Sequence, residues 1–280
     1  MSKPMPIQRN SRYQGWIIAI AISYLALIIL IPASNVVIQA LSGGLGGLGV
    51  AYSNPEFLHA LGLTLAIALL VLPINIVFGL SAAWVIARHR FPGRTFLITL
   101  LDLPFSISPV VVGLMMVLLY GNRGWLGGFF QAINIQIIFA WPGMILATAF
   151  TTLPFIAKEV IPVLEEIGTE QEEAARTLGA NEWQIFWRVT LPNLRWGLLY
   201  GIILTNARAL GEFGAVSVVS GNIARKTQTL SLYVEDAYKQ YQTQAAFAAA
   251  LLLALLGLLT LVVQEWVTQH NNRTIEKDAK

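Results

Sequence analysis

From Tyr13 to Pro55 the chain carries no Asp, Glu, Lys or Arg, and four further intervals repeat the pattern: Phe57 to Ala87, Leu103 to Asn122, Gly124 to Leu153 and Gln240 to Gln264. A helix that crosses a bilayer needs about 20 mostly apolar residues, so each interval can hold one. A sixth, Trp196 to Ser220, is long enough but is interrupted by Arg208 and Glu212. A soluble fold has no place for so much apolar surface. With 56% of its 280 residues hydrophobic and 12% charged, the chain lacks the polar side chains that would cover a water-facing exterior. The runs predict an all-α membrane protein with six transmembrane helices.

Orientation follows from Lys and Arg, which are retained on the cytoplasmic side of short loops. With the N-terminus inside, thirteen of the 18 basic residues fall in cytoplasmic segments: Lys3, Arg9 and Arg12; Arg88, Arg90 and Arg94; Lys158, Arg176, Arg188 and Arg195; Arg273, Lys277 and Lys280. Arg123, Arg225, Lys226 and Lys239 fall outside. Both termini are therefore expected in the cytoplasm. Residues 1–14 form an N-terminal tail, 15–264 the six-span domain with one large cytoplasmic loop at 158–195, and 265–280 a C-terminal tail. Trp16, Trp84, Tyr120, Trp125, Trp196 and Trp266 lie near span ends, where amphipathic rings favour the headgroup layer. The first apolar run, Gly15 to Leu41, is longer than the roughly 7–15-residue core of a cleaved signal peptide and reads as an uncleaved anchor.

Several chemistries are excluded or disfavoured. The chain has no cysteine, which removes disulfides, haem thioether links, Fe–S clusters and thiolate zinc, and His59, His89 and His270 are too scattered for a dedicated metal site. The basic residues are dispersed between apolar runs, unlike a nucleic-acid-binding face. Gly44 to Gly49 satisfies the G-x-G-x-x-G pattern, but it follows a membrane-length run instead of a strand and is read as a flexible external loop. No G-x-x-x-x-G-K-[ST] is present, so nucleotide energy would have to come from another subunit. The Asn272-Arg273-Thr274 sequon falls on the cytoplasmic side and reads as chance. Glu165-Glu166, Glu172-Glu173 and Glu235-Asp236 lie in predicted loops and read as solvated acidic surface, with no apolar pocket to separate their pKa values.

Helix punctuation is most legible in the loop at 158–195. Gly168 ends one segment, and Thr169-Glu170-Gln171-Glu172 has capping-box spacing. A short helix is expected from there to Gly179, which can take the left-handed conformation of a helix-ending residue. Asn181 then caps a second helix carrying Trp183, Phe186 and Val189 as an apolar stripe, until Leu191-Pro192 breaks it. An amphipathic hairpin on the membrane surface would have the same periodicity. Ala174 and Ala175, however, leave room for close backbone approach, Glu173 and Arg176 can flank such a contact, and Gly179 permits a tight tip. Such a knob suits docking to a partner.

Glu173-Ala174-Ala175, three residues, Gly179, nine residues, then Val189-Thr190-Leu191-Pro192 resembles the EAA loop of ABC importer membrane subunits, with Val189 where Ile is usual. In that family the short helix fits a groove on an ATP-binding subunit and transmits its closure to the membrane helices. Resemblance extends over Phe57 to Glu265, through Asp102 to Gly113, Trp141 to Met144, Arg188 to Trp196 and Asn206 to Asn222, which are similar to the sulfate/thiosulfate permeases of that family. The resemblance implies a type I importer fold with a cytoplasmic coupling helix and a place in the bacterial inner membrane. It also implies a second related membrane subunit, two ATPase subunits that bind ATP and Mg, and a periplasmic sulfate-binding protein. No cofactor is expected in this chain.

Arg208 and Glu212 are four residues apart, on one helix face and within pairing reach. At about 1.5 Å per residue from Trp196, Arg208 lies roughly 18 Å into a core about 30 Å thick. Such charges must face away from lipid. Two readings stand: a buried ion pair that fixes helix packing, or a pathway arginine lowering the barrier for a dianion while Glu212 keeps the anion from being trapped. Gly211 and Gly214 would allow close approach or local unwinding. Asp102 could be a second intramembrane charge but reads first as an interfacial cap of the third span, with Pro104 and Pro109 distorting its start. Ser106, Ser108 and Asn206 complete the pathway candidates. The chain is thus expected to be a non-enzymatic permease subunit carrying sulfate inward by alternating access. An ion-coupled secondary anion carrier and an ABC permease for another oxyanion, such as molybdate or thiosulfate, are the alternatives.

Overall fold

The computed structural model describes residues 11–278, with side chains from 15 to 269. The expectations for Lys3, Arg9 and Lys280, and for the side chains of Arg12, His270, Arg273, Lys277 and the 272–274 sequon, lie outside the described residues. Regular structure among the described residues is entirely helical: α1 (Ser11–Ala40), α2 (Gly44–Ser53), α3 (Pro55–Arg88), α4 (Arg94–Ser106), α5 (Pro109–Tyr120), α6 (Gly127–Ala132), α7 (Trp141–Ile167), α8 (Glu170–Thr177), α9 (Glu182–Ile185), α10 (Leu191–Leu210), α11 (Gly214–Ser220), α12 (Leu230–Lys239) and α13 (Thr243–Asp278). A π-helical turn, Phe186–Thr190, joins α9 to α10.

The helices α1, α3, α7 and α13 are each long and apolar enough to cross a bilayer alone. Two further crossings are bent. The α4–α5 pair is bent by 109°, and the helix running from Glu182 to Leu210 bends by 54° into α11. Counting each pair once gives the six predicted spans. The first bend has a local cause: Pro109 disfavours the helical region for Ser108, and Ile107 and Ser108 are both extended, at ψ 134. The second falls at Gly211 and Phe213.

The helix α7 is the hub, flanked by α3 and α10 along its length and by α5 and α11 near its start. Its buried face of Met144, Ala147, Ile156, Val160 and Leu164 joins Leu63, Ile67 and Val71 of α3, Val112 of α5 and Val216 of α11 in one cluster, and Ala83 and Leu194 in another. Outward residues of α1 and α13, among them Leu30 and Leu258, are more than half exposed, as lipid-facing side chains must be. The start of α3 is set by Asn54, whose side chain accepts from the Glu56 amide, with Pro55 at the first helical position.

Four expectations are corrected. The segment Gly44–Gly49 is the first half of helix α2, not a flexible loop. Gly43 and Gly47 lie so close to the Gln244 side chain of α13 that a Cβ would collide with it, and Tyr52 donates to the Ala248 carbonyl at 3.1 Å. The third span starts at Arg94, not Leu103, so Asp102 is inside α4 and caps nothing; its carboxylate instead meets Lys158 at 2.6 Å. The fourth span runs past Leu153 to Ile167, so the loop expected at 158–195 begins as that span's own helix. Lys158 is tolerated there because Asp102 neutralises it and the Phe105 ring faces its ammonium at 4.6 Å. Leu191-Pro192 does not break the helix. The Leu191 amide bonds to the Phe186 carbonyl, five residues back, and this wide turn gives room to a proline ring that an α-helix would clash with.

Candidate functional site

The residues singled out for docking form a projection at one end of the bundle. Helix α8 buries no residue of its own. It ends in a Schellman turn: the Ala180 amide reaches the Ala175 carbonyl at 3.1 Å and the Gly179 amide the Arg176 carbonyl at 3.0 Å, with Gly179 at φ +87. The predicted capping box at Thr169 is not formed, since Glu172 points elsewhere; the Thr169 hydroxyl donates to the Glu173 carboxylate at 2.7 Å instead. The box that does form is Asn181 with Gln184, at 2.8 and 3.0 Å. Across the tip, Arg176 makes a two-pronged pair with Glu182, both contacts 2.9 Å. This leaves Glu173, Ala174, Leu178 and Gly179 exposed at the tip and Ala175 half-buried. The stripe beside it is open at one end: Trp183 is 70% exposed, with its ring against Phe186 and Trp187, while Phe186 and Val189 are half-buried. Leu191 and Pro192 lie at the junction with α10.

Because open space surrounds Gly179, the cost of a side chain there is conformational alone. Gly179→Ala is expected to open the turn by about 1–2 kcal/mol, seen as a roughly tenfold faster hydrogen exchange at the amides of residues 179 and 180. Unchanged exchange would show that the left-handed turn is not what closes α8.

The acidic pairs are not the free surface expected of them. They sit on α7, α8 and α12, and three of their carboxylates are in ion pairs. Glu165 meets Arg94 at 2.8 Å and Glu235 meets Lys239 at 2.6 Å. Glu172 turns inward to Arg88 at 3.0 Å, with both side chains nearly buried, and accepts the Thr190 hydroxyl at 2.9 Å. Arg88 also donates to the Leu164 carbonyl at 2.7 Å.

Midway along the bundle the two broken spans meet. Gly214, at the start of α11, lies against Pro109 and Val110 at the start of α5, and Gly113 lies against Val218 and the Ala215 carbonyl. The Arg208–Glu212 pair is at this junction, with Nη1 of Arg208 2.8 Å from Oε2 of Glu212. Glu212 is buried and also accepts from the Thr151 hydroxyl at 3.1 Å and the Ala215 amide at 3.0 Å. It therefore anchors the start of α11 as well as the arginine. Arg208 is about one-third exposed, at 34%, whereas Glu212 is enclosed.

Of the pathway candidates, Ser108 borders the junction through its neighbour Pro109. Ser106 closes α4 with its hydroxyl donating back to the Asp102 carbonyl at 3.4 Å. Both serines are exposed. Asn206 is half-buried two residues before Arg208 on α10, which puts it about 200° round the helix and away from the ion pair. Sequence reasoning missed the hydroxyl seam that backs Glu212. Thr148, Thr151 and Thr152 recur on one face of α7, all buried, and Asn75 of α3 donates to Thr152 at 2.6 Å. A repeated threonine in an apolar span was the available signal. At the end of the bundle opposite α8, two open basins share Gln136 and Phe139; Arg123 lines one and Lys226 the other.

The family model described as "Binding-protein-dependent transport system inner membrane component" matches residues 75–273. The sulfate transport system permease protein CysW of Synechocystis sp. is 61% identical over 254 residues, covering 91% of this chain and 92% of that protein. The sulfate transport system permease protein CysT of the same organism is 36% identical over 261 residues, covering 92% and 91%. Among solved structures, a bacterial ABC transporter involved in the import of the acidic polysaccharide alginate superposes with a TM-score of 0.74 at 17% identity, over 93% of this chain and 96% of that one. That likeness concerns the fold alone.

Proposed function

The chain belongs to the family of binding-protein-dependent transport system inner membrane components, and from that membership we propose that it is a membrane subunit of an ATP-driven importer that carries sulfate into the cell. The observation that carries the reading is the 61% identity to a sulfate permease over nearly the full length of both chains. The geometry supports it. An exposed helix-turn projection, α8 to α9, runs without interruption into α10, the helix that carries Arg208 in its last turn. A push on the projection therefore has a direct mechanical path to the junction of the broken spans.

In this reading Glu173, Ala174, Ala175, Arg176 and Gly179 dock on one of two ATPase subunits, which bind ATP and Mg, and Leu191 and Pro192 pass the motion to the fifth span. The α8 end and both termini face the cytoplasm, in keeping with the distribution of Lys and Arg. The basins carrying Arg123 and Lys226 face a periplasmic sulfate-binding protein. A second membrane subunit completes the pore, because two distinct sulfate permeases of one organism, CysW and CysT, both resemble this chain. Arg208, held by Glu212, lies beside the path with Ser106 and Ser108, while Asn206 is on the far face of α10.

The test is uptake of labelled sulfate into vesicles holding the full complex, with and without internal ATP and external binding protein. Uptake is expected only when both are present. Accumulation by the membrane subunits alone on an ion gradient would replace this reading with a secondary carrier, and uptake of molybdate or thiosulfate in place of sulfate would change the substrate within the same class.

A further inference from the structure

Resting on the docking role proposed for α8, we infer that Arg88 and Glu172 form a clamp that delivers the displacement of α8 to α3 as well as to α10. Helix α8 has no buried residue to hold it to the bundle. At each end its chain passes through a glycine at positive φ, Gly168 at +69 and Gly179 at +87, and a Cβ at either would meet no other atom within 4 Å. A helix attached only through those two points would swivel under load.

The side chains supply what the backbone lacks. Oε1 of Glu172 receives Nη2 of Arg88 at 3.0 Å and the Thr190 hydroxyl at 2.9 Å, while Nη1 of Arg88 is fixed on the Leu164 carbonyl at 2.7 Å. Next to Glu172, Gln171 accepts from Asn193 at 2.7 Å. One carboxylate and its neighbour thereby tie α8 to the last residue of α3, to α7, to the π turn and to α10. The pair is 7% and 12% exposed, whereas Arg94–Glu165 and Lys158–Asp102 at the same end are 38–50% exposed. Water weakens the exposed pairs far more than the enclosed one. Successive helical residues are about 100° apart, so Glu173 can face a motor while Glu172 grips the bundle. Since α3 and α10 both pack on α7, a clamped α8 moves two spans instead of dragging one.

The experiment uses the complete transporter in vesicles, measuring sulfate taken up per ATP hydrolysed and the amount of ATPase subunit that co-purifies. Arg88→Met and Glu172→Gln are each expected to keep the ATPase bound and hydrolysing while uptake per ATP falls about 10-fold. The double variant should fall no further, because the two residues act as one unit. Arg88→Lys, which keeps the charge, should recover much of the loss, and Glu165→Gln should match wild type. Full coupling in both single variants, or losses that multiply in the double variant, would overturn the clamp while leaving the docking reading intact. Release of the ATPase from either single variant would make the pair part of the docking face and would also overturn it. A wild-type complex without ATP-dependent uptake would overturn the functional reading and the clamp together.

Discussion

Glu212→Ala is expected to cost about 3 kcal/mol of stability, the low end for breaking a buried ion pair, and to lower both the membrane yield and the inactivation temperature of the detergent-solubilised chain. Three donors converge on this carboxylate: Nη1 of Arg208 at 2.8 Å, the Thr151 hydroxyl at 3.1 Å and the Ala215 amide at 3.0 Å. Alanine leaves all three unsatisfied in the middle of the bundle. The low end applies because Arg208 is 34% exposed and can turn its charge toward a wetter side. Glu212→Gln should cost less, since an amide oxygen still accepts from Thr151 or Ala215.

Arg208→Lys is more informative still. The pair is a single contact, not a two-pronged one, so an ammonium of similar reach can replace it, and the loss of stability should stay below about 1 kcal/mol. If that variant assembles normally but transports poorly, the planar guanidinium serves the anion. If it assembles and transports normally, charge alone is what the site needs. Thermal inactivation of Glu212→Ala at the wild-type temperature would show that the carboxylate is dispensable to packing.

The membrane spans were legible because charge is costly in a bilayer, and every apolar interval flagged by its lack of charge holds helical residues. Their limits were less legible, because an ion pair cancels the signal on which that reading depends. Lys158 reads as the start of a soluble loop only while Asp102, far away in sequence, is unseen. The same blindness made Glu172 look like surface: its partner Arg88 is on another helix, and no local pattern links them. The turn at Gly179 and the cap at Asn181 were readable because each is closed by residues within one turn. The capping box at Thr169 had the right letters as well, but Glu172 is taken by Arg88 and Thr190, and tertiary partners outweighed the local motif. Leu191-Pro192 misled for a related reason, since a π turn, invisible in spacing, absorbs the proline. The junction at Glu212 was half visible. The four-residue spacing to Arg208 gave the pair, whereas the meeting of the two broken spans depends on glycines 113 and 214 fitting against distant helices.

A tight point of the bundle is Ile156 on α7, fully buried between two glycines on different helices. A Cβ on Gly79 of α3 would come within 2.8 Å of the Ile156 Cβ, and one on Gly201 of α10 within 2.9 Å of its Cα. Neither neighbour is the tip of a flexible side chain, so a larger residue must push whole helices apart. Gly79→Val and Gly201→Val are each expected to cost about 1–3 kcal/mol by overpacking, read as a lower inactivation temperature. They should combine non-additively, because both displace the same residue. Gly62, on α3 but with nothing within 4 Å, is the control: Gly62→Ala should stabilise by up to about 1 kcal/mol, since alanine favours a helix interior over glycine. The same contact bears on transport. Helices α3 and α10 are the two arms to which α8 is tied, and both press on α7 at this residue through a glycine. A bundle loosened here should insert and bind its partners, yet lose the stiffness that carries a push from α8 toward Arg208, so uptake per ATP should fall in Gly201→Val and stay unchanged in Gly62→Ala. Equal stability and equal coupling in all three variants would mean that α7 is not the pivot of the motion.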